Sequence, residues 1–438
     1  MSGQSDNLVA DDLSAEDLAR LEESSRGFGV LKFRNYRLFF VGQFVSTTGG
    51  WMQSLAQSWL VVETLDASPF QLGLVPIFQF GPSLIFGIPA GTLVDRFSRR
   101  YLLVATQILY MLLALVLAFL TWTGQIQLWH VYATGFIFGI TSAVDMPARH
   151  AFVSELVPRY ALKNAIAINA ATFNMGRILG PAVAGVILAW VGPAWCFLLN
   201  GVSYIGPIAA MFMMQLLPFV KSTAGSGWAQ IKEGLAYIRA HDDIRRPMLL
   251  VLVVGSFGMV YTVWIPLIAT ESFHTSEGMF GVMFSSMGLG SLLGALSVAY
   301  MRTGKGRTRM IITGILQGAA TLSIGLIAVV PLSPWIATIA ITWSGICAAN
   351  TMSLANAIVQ TSAPDELRGR VMAVYSTVFT GTLPIGGLLA GTISNRWNVE
   401  TSMIFGGGVV VIAATTMFVR HLMSQRQEDN DPAPIPVG

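Results

Sequence analysis

The stretch GITSAVDMPARHAFVSELVP, residues 139–158, has a second, diverged version later in the chain, GICAANTMSLANAIVQTSAP, residues 345–364. With the same shift of 206 residues and no gap, residues 139–185 align with residues 345–391 and are identical at twelve positions. An ungapped internal repeat of this length indicates a duplicated unit of structure. The sequence therefore predicts two halves that are built on one plan.

The whole chain is far more apolar than a soluble protein of its length. Of its 438 residues, 53% are hydrophobic and 11% are charged, and the mean hydropathy is +0.62. Soluble domains carry about 25% charged residues, and a helix needs about 20 apolar residues to cross a bilayer. We predict an all-α membrane protein with 12 transmembrane helices in two pseudo-symmetric six-helix bundles. The predicted spans are residues 38–62, 70–94, 101–122, 127–148, 163–190, 195–217, 248–271, 278–302, 308–330, 335–360, 370–393 and 401–422.

The Lys and Arg residues lie on one side of the predicted membrane. Of the 26, all except Arg177 and Arg396 lie in or beside the two tails and the loops on the same side as the tails. Cytoplasmic loops carry this excess, so we expect a multi-pass protein of the inner membrane with both termini in the cytoplasm. The same asymmetry accounts for the net charge of +3, and we expect no nucleic acid as a partner.

The repeat and the polar stretches together predict the domain organisation. We expect a cytoplasmic tail at 1–30, an N-terminal bundle at 31–217, a cytoplasmic connector at 218–247, a C-terminal bundle at 248–423 and a second cytoplasmic tail at 424–438. The connector contains WAQIKEGLAYIRAH, residues 228–241, whose apolar residues recur at helical spacing. It predicts an amphipathic helix on the membrane surface or under the bundle. Because the repeat offset spans six helices, the two halves have the same orientation.

The loop after the second span reads GTLVDRFSRR, Gly91 to Arg100. It resembles the signature loop of the major facilitator superfamily at Gly91, Asp95, Arg96, Arg99 and Arg100, and departs from it at the position of Ser98. In that superfamily the loop latches a cytoplasmic gate. Gly91 is expected to permit a close helix contact, and Asp95 to cap the next segment or to pair with an Arg of the other half. Plain membrane-flanking basic residues are the simpler alternative.

The fifth span contains GRILGPAVAG, residues 176–185. It resembles the signature of the antiporter branch of the superfamily at Gly176, Gly180, Pro181 and Gly185, a resemblance that implies export. Glycines at this spacing allow close helix packing. Arg177 lies in the same span, where a charged residue is costly and faces a cavity or a partner. We leave open whether Arg177 binds an anionic group, pairs with a titrating carboxylate, or ties two helices together.

Acidic residues are absent from the middle of the predicted spans. The candidates for proton coupling are Asp145, near the end of the fourth span, and Glu63, at the end of the first. Arg149, one turn after Asp145, makes a gate salt bridge an equal alternative. Further polar and aromatic residues are candidates for the wall of a substrate cavity or for packing: Asn169, Gln53, Gln57, Gln79, Tyr261, Trp264 and Asn350.

The sequence lacks the common motifs of enzymes and of ATP-driven pumps. It has no GxxxxGK[ST] phosphate loop, no HExxH and no CxxC, and its five His residues are scattered. Cys196 and Cys347 lie in apolar runs and are expected to be packing residues. We therefore expect neither an enzyme, nor a cofactor, nor a metal site.

Four stretches together resemble the drug:proton antiporter-3 branch of the superfamily: residues 62–74, 145–158, 164–185 and 366–374. The resemblance implies a transporter that exports a small molecule, such as a drug-like compound or a siderophore, by alternating access in exchange for protons. The implied partners are the cargo, protons and membrane lipids, for a monomer. A lysophospholipid or other lipid transporter, or a solute importer on the same fold, is the alternative. A receptor or a membrane-embedded enzyme is less favoured.

Overall fold

A computed structural model describes residues 27–215, 227–300, 306–330 and 332–430. Within these ranges the chain is almost entirely helical and forms no β-strand. Several predicted segments lie outside the described residues: most of the N-terminal tail, the start of the connector at 218–226, the loop at 301–305 and the end of the C-terminal tail at 431–438.

Twelve helical spans, six before and six after a shorter connector helix (Gly227–Ala240), make up the described chain. The prediction of twelve helices in two six-helix bundles is confirmed. The spans are α1 Arg34–Trp59, α2 Pro69–Arg96, α3 Arg99–Trp122, α4 Leu128–Leu156, α5 Leu162–Val191, α6 Pro193–Ser203 with Ile205–Met213, α7 Asp242–Phe257 with Tyr261–Leu267, α8 Glu277–Tyr300, α9 Gly306–Val329, α10 Pro334–Ser362, α11 Asp365–Arg396 and α12 Val399–Asn430.

The observed ends differ from the predicted ones where a helix continues into polar sequence. The last span continues to Asn430, past the predicted end at residue 422, because HLMSQRQEDN contains good helix formers and no proline or glycine. The eleventh begins at Asp365, directly after Pro364, with two acidic residues in its first turn. Acidic side chains at this end stabilise the helix through its dipole.

Nine of the twelve spans are long and apolar enough to cross a membrane, and among the described helices α1, α4 and α10 are the ones that fall short. Several of their hydroxyl groups are satisfied by the helix itself. Thr134 and Thr141 in α4 and Thr338 in α10 each donate a hydrogen bond of 2.7–2.8 Å to the carbonyl oxygen one turn earlier. These threonines lower the hydropathy of α4 and α10 without needing water.

The two halves repeat each other in their helix contacts. Gly139 of α4 packs on α2, where an added methyl group would lie 2.7 Å from the carbonyl oxygen of Gln79. Its repeat partner Gly345 packs on α8, where the same group would lie 2.7 Å from the carbonyl oxygen of Met287. Because α8 is the counterpart of α2, this agrees with two halves of one plan.

The first helix of each half also ends in the same way. A π-helical turn follows α1 at Leu60–Thr64 and follows the second piece of α7 at Ile268–Ser272. Two residues beyond each turn, Asp66 and His274 both have φ of +46°, the left-handed region that few non-glycine residues adopt. The repeat thus extends to the helix ends, with a shift of 208 residues.

Three separate clusters of buried apolar residues form the core. One, here the distal cluster, contains residues from both halves, and in it the rings of Trp59 and Phe280 lie 5.1 Å apart. The second contains residues of the N-terminal half alone, around Phe152, and the third contains residues of the C-terminal half alone, around Val251. The second and third clusters lie at the end of the bundle that bears the connector helix, which we call the connector face. The distal cluster lies toward the opposite end, which we call the distal face.

The connector helix belongs to the C-terminal half at the connector face. Its Ile238 is buried in the C-terminal cluster, and its Glu233 forms an ion pair with Arg370 of α11. Gly234 permits this approach, since an added methyl group would lie 2.7 Å from the carbonyl oxygen of Arg370. Of the two positions open at the sequence level, the helix therefore takes the one under the bundle.

Candidate transport cleft

A cleft separates the two halves at the connector face, and α5 lines it. This helix packs against α1 of its own half and α8 of the other. Along the side of α5 between these two contacts, Ile166 is 57% exposed and Phe173 is 52% exposed, whereas Ala184, farther toward the distal face, is fully buried. The outer side of the same helix is marked by exposed Leu179 and Val186, roughly opposite on the helical wheel. The gradient along the inner side therefore describes a cleft that closes toward the distal face.

Arg177 lies near the closed end of this cleft, at the junction of the two halves. Its guanidinium carbon is 5.5 Å from the ring centroid of Trp51 in α1, and its Nη2 donates to the sulfur of Met287 in α8 at 3.7 Å. The backbones are equally close, since a methyl group added to Gly288 would lie 2.5 Å from the carbonyl oxygen of Arg177. The structure thus places Arg177 beside the cleft, in contact with both halves.

Asp145 is buried in the N-terminal half, between α3 and α4, with 4% of its surface exposed. Its Oδ1 accepts hydrogen bonds from Thr106 (2.7 Å) and Gln107 (2.9 Å), and its Oδ2 accepts two from Arg149, at 3.0 and 2.6 Å. All four donors lie within one half. The Asp145–Arg149 ion pair therefore does not connect the two halves in this conformation.

The other coupling candidate, Glu63, lies in the π-helical turn after α1, exposed at the distal face. Its repeat counterpart is Glu271, in the equivalent turn after α7. Both carboxylates lie at the distal ends of their helices, away from Arg177 of α5. The structure therefore separates the two coupling candidates: Asp145 is buried inside the N-terminal half, and Glu63 is exposed at the distal face.

The predicted gate loop is tied to the N-terminal half. Arg99 forms an ion pair with Glu155 of α4. Arg100 donates to the carbonyl oxygen of Phe212 in α6 at 3.2 Å and lies over the ring of the same residue. Among the described residues, neither Asp95 nor Arg96 forms an ion pair. The loop does not reach the other half in this conformation.

Gly91 corrects one expectation. An added methyl group would meet no atom within 4 Å, so no helix is packed closely against this position while the connector face is open. Nor does Asp95 cap α3, which begins after Ser98 without a side-chain cap. The connector helix contacts α2, but in this conformation no described residue lies close to the position of an added methyl group on Gly91.

The glycines of the fifth span make close contacts of two kinds. Gly176 and Gly180 face α1, where added methyl groups would lie 2.8 Å from Thr47 and 2.6 Å from the carbonyl oxygen of Thr48. Gly185 faces the other half, where the group would lie 2.9 Å from the Cα of Gly281. Pro181 is buried within the same helix. These residues set the packing of α5 within its half and, at the distal face, between halves.

Most of the other cavity candidates are packed within a half. Gln53 accepts a 2.6 Å hydrogen bond from Asn200 of α6, and Gln57 is buried in α1. The indole of Trp264 is buried and donates to Ser402 of α12 at 3.0 Å. The side chain of Asn350 is buried among α8, α9 and α10, where Arg309 donates to it at 2.6 Å. Their position along a helix gave no indication of these partners.

Three of the candidates remain near the cleft or adjacent to it. Asn169 is half-buried on the inner side of α5, two turns toward the connector face from Arg177. Gln79 is half-buried in α2, at the level where Gly139 approaches. Tyr261 is buried and shares a hydrogen bond of 2.7 Å with Ser344, so it lies behind the cleft surface.

A buried polar network that the sequence reasoning missed surrounds a break in α7. The helix stops at Phe257 and resumes at Tyr261. The carbonyl oxygen of Gly258, freed by the break, accepts hydrogen bonds from Gln317 (2.5 Å) and Thr321 (3.2 Å) of α9. Broken membrane helices need such donors. The signal that could have found it is a glutamine and a threonine one turn apart within an apolar span.

In the described ranges, no group of three or more His, Cys, Asp or Glu side chains is arranged to hold a metal ion. The side chains described above at the cleft are the guanidinium of Arg177, the rings of Trp51 and Phe173, and the amide of Asn169. This arrangement suits binding and conformational change.

Comparison with known proteins identifies the family of the chain. The model of the family "Transmembrane secretion effector" matches residues 25–435. The staphyloferrin A transporter of Staphylococcus aureus is 24% identical, over 90% of this chain and 98% of its own length. Macrolide efflux protein A of Streptococcus pyogenes is 23% identical, over 87% and 96%. The enterobactin exporter of Salmonella typhi is 23% identical, over 88% and 92%.

Solved structures agree with the fold. A bacterial homologue of the human lysosomal transporter Spinster, in an inward-facing conformation, matches with a TM-score of 0.68 at 13% identity, over 88% of this chain and 96% of that one. A D-xylose–proton symporter matches with a TM-score of 0.71 at 14% identity, over 88% and 97%. At these identities the likeness concerns the fold alone. The family match nevertheless spans nearly the whole sequence, and the chain belongs to the transmembrane secretion effector family of major facilitator transporters.

Proposed function

We propose that this protein exports a small molecule, a drug-like compound or a siderophore, from the cytoplasm across the inner membrane in exchange for protons. Transport proceeds by alternating access, in which the two halves rock about a site near the midplane. The observation that carries the proposal is the burial gradient along the inner side of α5, from exposed Ile166 to buried Ala184. A carrier that is ready to load cargo has a cleft that is open at one face of the membrane and closed at the other.

We infer the orientation in the membrane from the positions of the charged residues. The connector face bears the basic residues at the ends of the helices, including Arg34, Arg96, Arg159 and Arg368, and positive charge accumulates on the cytoplasmic side. The open cleft then faces the cytoplasm, where cargo for export is loaded. We propose one chain as the transport unit, because both halves and the cleft between them come from it.

We propose Asp145 as the proton-carrying residue. It is the one acidic side chain among the described residues that is buried, and its carboxylate is paired with Arg149. Adding a proton to the carboxyl group would remove its charge and leave the guanidinium of Arg149 without a counter-charge. Such a change within the N-terminal half is large enough to shift a balance between two packings.

We propose that the loop with Asp95 latches the cytoplasmic face when that face closes. In the open conformation, Arg99 and Arg100 hold the loop on the N-terminal half, whereas Asp95 and Gly91 lie without close partners among the described residues. Closing the cleft would bring the edge of the C-terminal half to this loop. Gly91 would then leave room for a helix, as the sequence motif implies.

The experiment uses proteoliposomes with a trapped pH-sensitive dye and an imposed proton gradient. Enterobactin, staphyloferrin A and a macrolide are added in turn, and proton movement and cargo uptake are recorded. We expect cargo-dependent proton flux in the wild type, its loss in Asp145→Asn, and its retention in Glu366→Gln, a control that removes an exposed carboxylate at the start of α11. Detergent-solubilised variants are checked for folding by size-exclusion chromatography.

Cargo movement without proton flux would refute antiport and favour a facilitator. Movement of lysophospholipid, with none of the three cargoes transported, would favour the lipid-transporter alternative. Cargo accumulation in the direction of the cytoplasm would favour the importer.

A further inference from the structure

Arg177 is a charged group without a counter-charge in the interior of the bundle. Among the described residues no carboxylate lies within ion-pair distance of its guanidinium, and its Nε has no hydrogen-bond partner. Two other arginines inside the bundle donate to oxygen acceptors: Arg149 is paired with Asp145, although its Nη1 has no partner, and Arg309 donates to Asn350 and Ser297. A half-buried cation within a membrane span that has no counter-charge is costly and needs a reason other than stability.

The surface around Arg177 is aromatic and apolar. Trp51 lies against the guanidinium, and the ring of Phe173 meets the Trp51 ring edge-on with centroids 5.5 Å apart. Phe173 is half exposed to the cleft one turn before Arg177. Met287 of α8 and, behind the cleft surface, Tyr261 of α7 are neighbours of Arg177 from the other half. A flat apolar body can therefore lie on these rings while its polar end reaches the guanidinium.

The guanidinium favours a particular polar end. Its nitrogens form a planar fork that matches a carboxylate bidentately, and hydrogen bonds between two charged groups are stronger than those between neutral ones. A cationic cargo would meet the guanidinium of Arg177 as a like charge. We propose that Arg177, Trp51 and Phe173 form a subsite for the acidic group of an aromatic organic acid, a proposal that rests on the proposed export function and specifies its cargo class.

The subsite also connects cargo to conformation. Arg177 contacts α1 through Trp51 and α8 through Met287, so an anion at the guanidinium is held at the junction of the two halves. The contact with the weak acceptor Met287 is the one that a carboxylate would replace most readily. Binding would thereby alter an interaction between halves without altering the core of either half.

The experiment is equilibrium dialysis of radiolabelled salicylate and salicylamide with the full-length protein in lipid nanodiscs. The two probes have the same ring and hydroxyl group and differ in charge. We expect salicylate to bind about tenfold or more tightly than salicylamide, as a charge-assisted pair implies. We expect Arg177→Gln to abolish this preference, Arg177→Lys to weaken it, and Phe173→Ala to weaken the binding of both probes.

Arg309→Gln is the matched control, because it removes another half-buried arginine, whose partners Asn350 and Ser297 lie within the C-terminal half. Equal affinity of the wild type for the two probes would overturn the proposal, whether or not the variants fold. A loss of preference in Arg309→Gln as large as in Arg177→Gln would also overturn it. If the wild type exports cargo and Arg177→Gln exports it equally well, the subsite is refuted but the proposed function stands. If the wild type exports none of the cargoes, the proposed function itself is refuted.

Discussion

Replacing Gly185 with alanine should shift the protein away from the conformation described here. Gly185 of α5 and Gly281 of α8 hold the two halves together toward the distal face, and a methyl group on Gly185 would lie 2.9 Å from the Cα of Gly281. Carbon atoms in contact are normally about 3.5–4.0 Å apart. The two helices would therefore have to separate by roughly 0.5–1 Å, and the atoms in the way belong to the backbone, which cannot rotate aside.

The size of the shift follows from the cost of overpacking, about 1–3 kcal/mol. In a distal-open conformation, the two halves would be apart at the distal face, and the added methyl group would not cause this overpacking. At about 1.4 kcal/mol for each factor of ten, the ratio of distal-closed to distal-open molecules should fall by roughly 5- to 150-fold. The repeat counterpart Gly391, whose added methyl group would lie 2.8 Å from the Cα of Gly73, should behave in the same way.

The assay is a spin-label distance across the distal face. Labels at Gln125→Cys, in the loop before α4, and Leu332→Cys, in the loop before α10, lie on different halves and are exposed. The two native cysteines are buried and are first replaced by alanine. We expect the population at long distances to grow in Gly185→Ala and to remain unchanged in Gly408→Ala, whose added methyl group meets no atom within 4 Å. Identical distributions in the two variants would refute the reasoning.

Three further substitutions test the packing by thermal unfolding in detergent. Gly180→Ala should lower the free energy of unfolding by about 1–3 kcal/mol, because its methyl group would lie 2.6 Å from a carbonyl oxygen. Its control, Gly50→Ala, has open space around the added methyl group and should have little effect. Equal effects of the two substitutions would contradict the close α1–α5 contact. Tyr36→Phe removes a buried 2.7 Å hydrogen bond to the carbonyl oxygen of Ala165 and should cost about 0.5–1.5 kcal/mol; no loss would contradict the bond. Arg99→Gln breaks an ion pair that is partly open to solvent and should cost about 1 kcal/mol or less; a larger loss would indicate that the gate loop contributes to the fold.

The sequence could predict the helices because hydropathy and the positions of Lys and Arg are local properties. The repeat at residues 139–185 and 345–391 added the relation between the halves, which the paired contacts of Gly139 and Gly345 follow. The π-helical turns at Glu63 and Glu271 were missed, although the two segments align with a shift of 208 residues. That shift differs from 206, so an ungapped comparison does not reach them.

The site was harder to predict because a side chain's depth in the membrane does not define the side of the helix that it occupies or the neighbour that it meets. Trp264 and Asn350 are at a suitable depth for a cavity, yet each is hydrogen-bonded to another helix: Trp264 to Ser402 of α12, and Asn350 to Arg309 of α9. Arg177 could be singled out, since an isolated charge within a span needs a special environment. Its location at the junction of the two halves required the packing of α8 against α5.

Alternating access is tested most directly by measuring both faces of the same molecule in the same conditions. The pair Gln125→Cys and Leu332→Cys reports the distal face, and the pair Tyr101→Cys and Gln360→Cys, both exposed, reports the connector face. Spin-label distances are recorded for each pair in nanodiscs, with and without transported cargo and at neutral and acidic pH. We predict that any condition that lengthens the distal distance shortens the connector distance. Distances that change at one face alone, or in the same direction at both, would contradict a carrier whose halves rock about a central site.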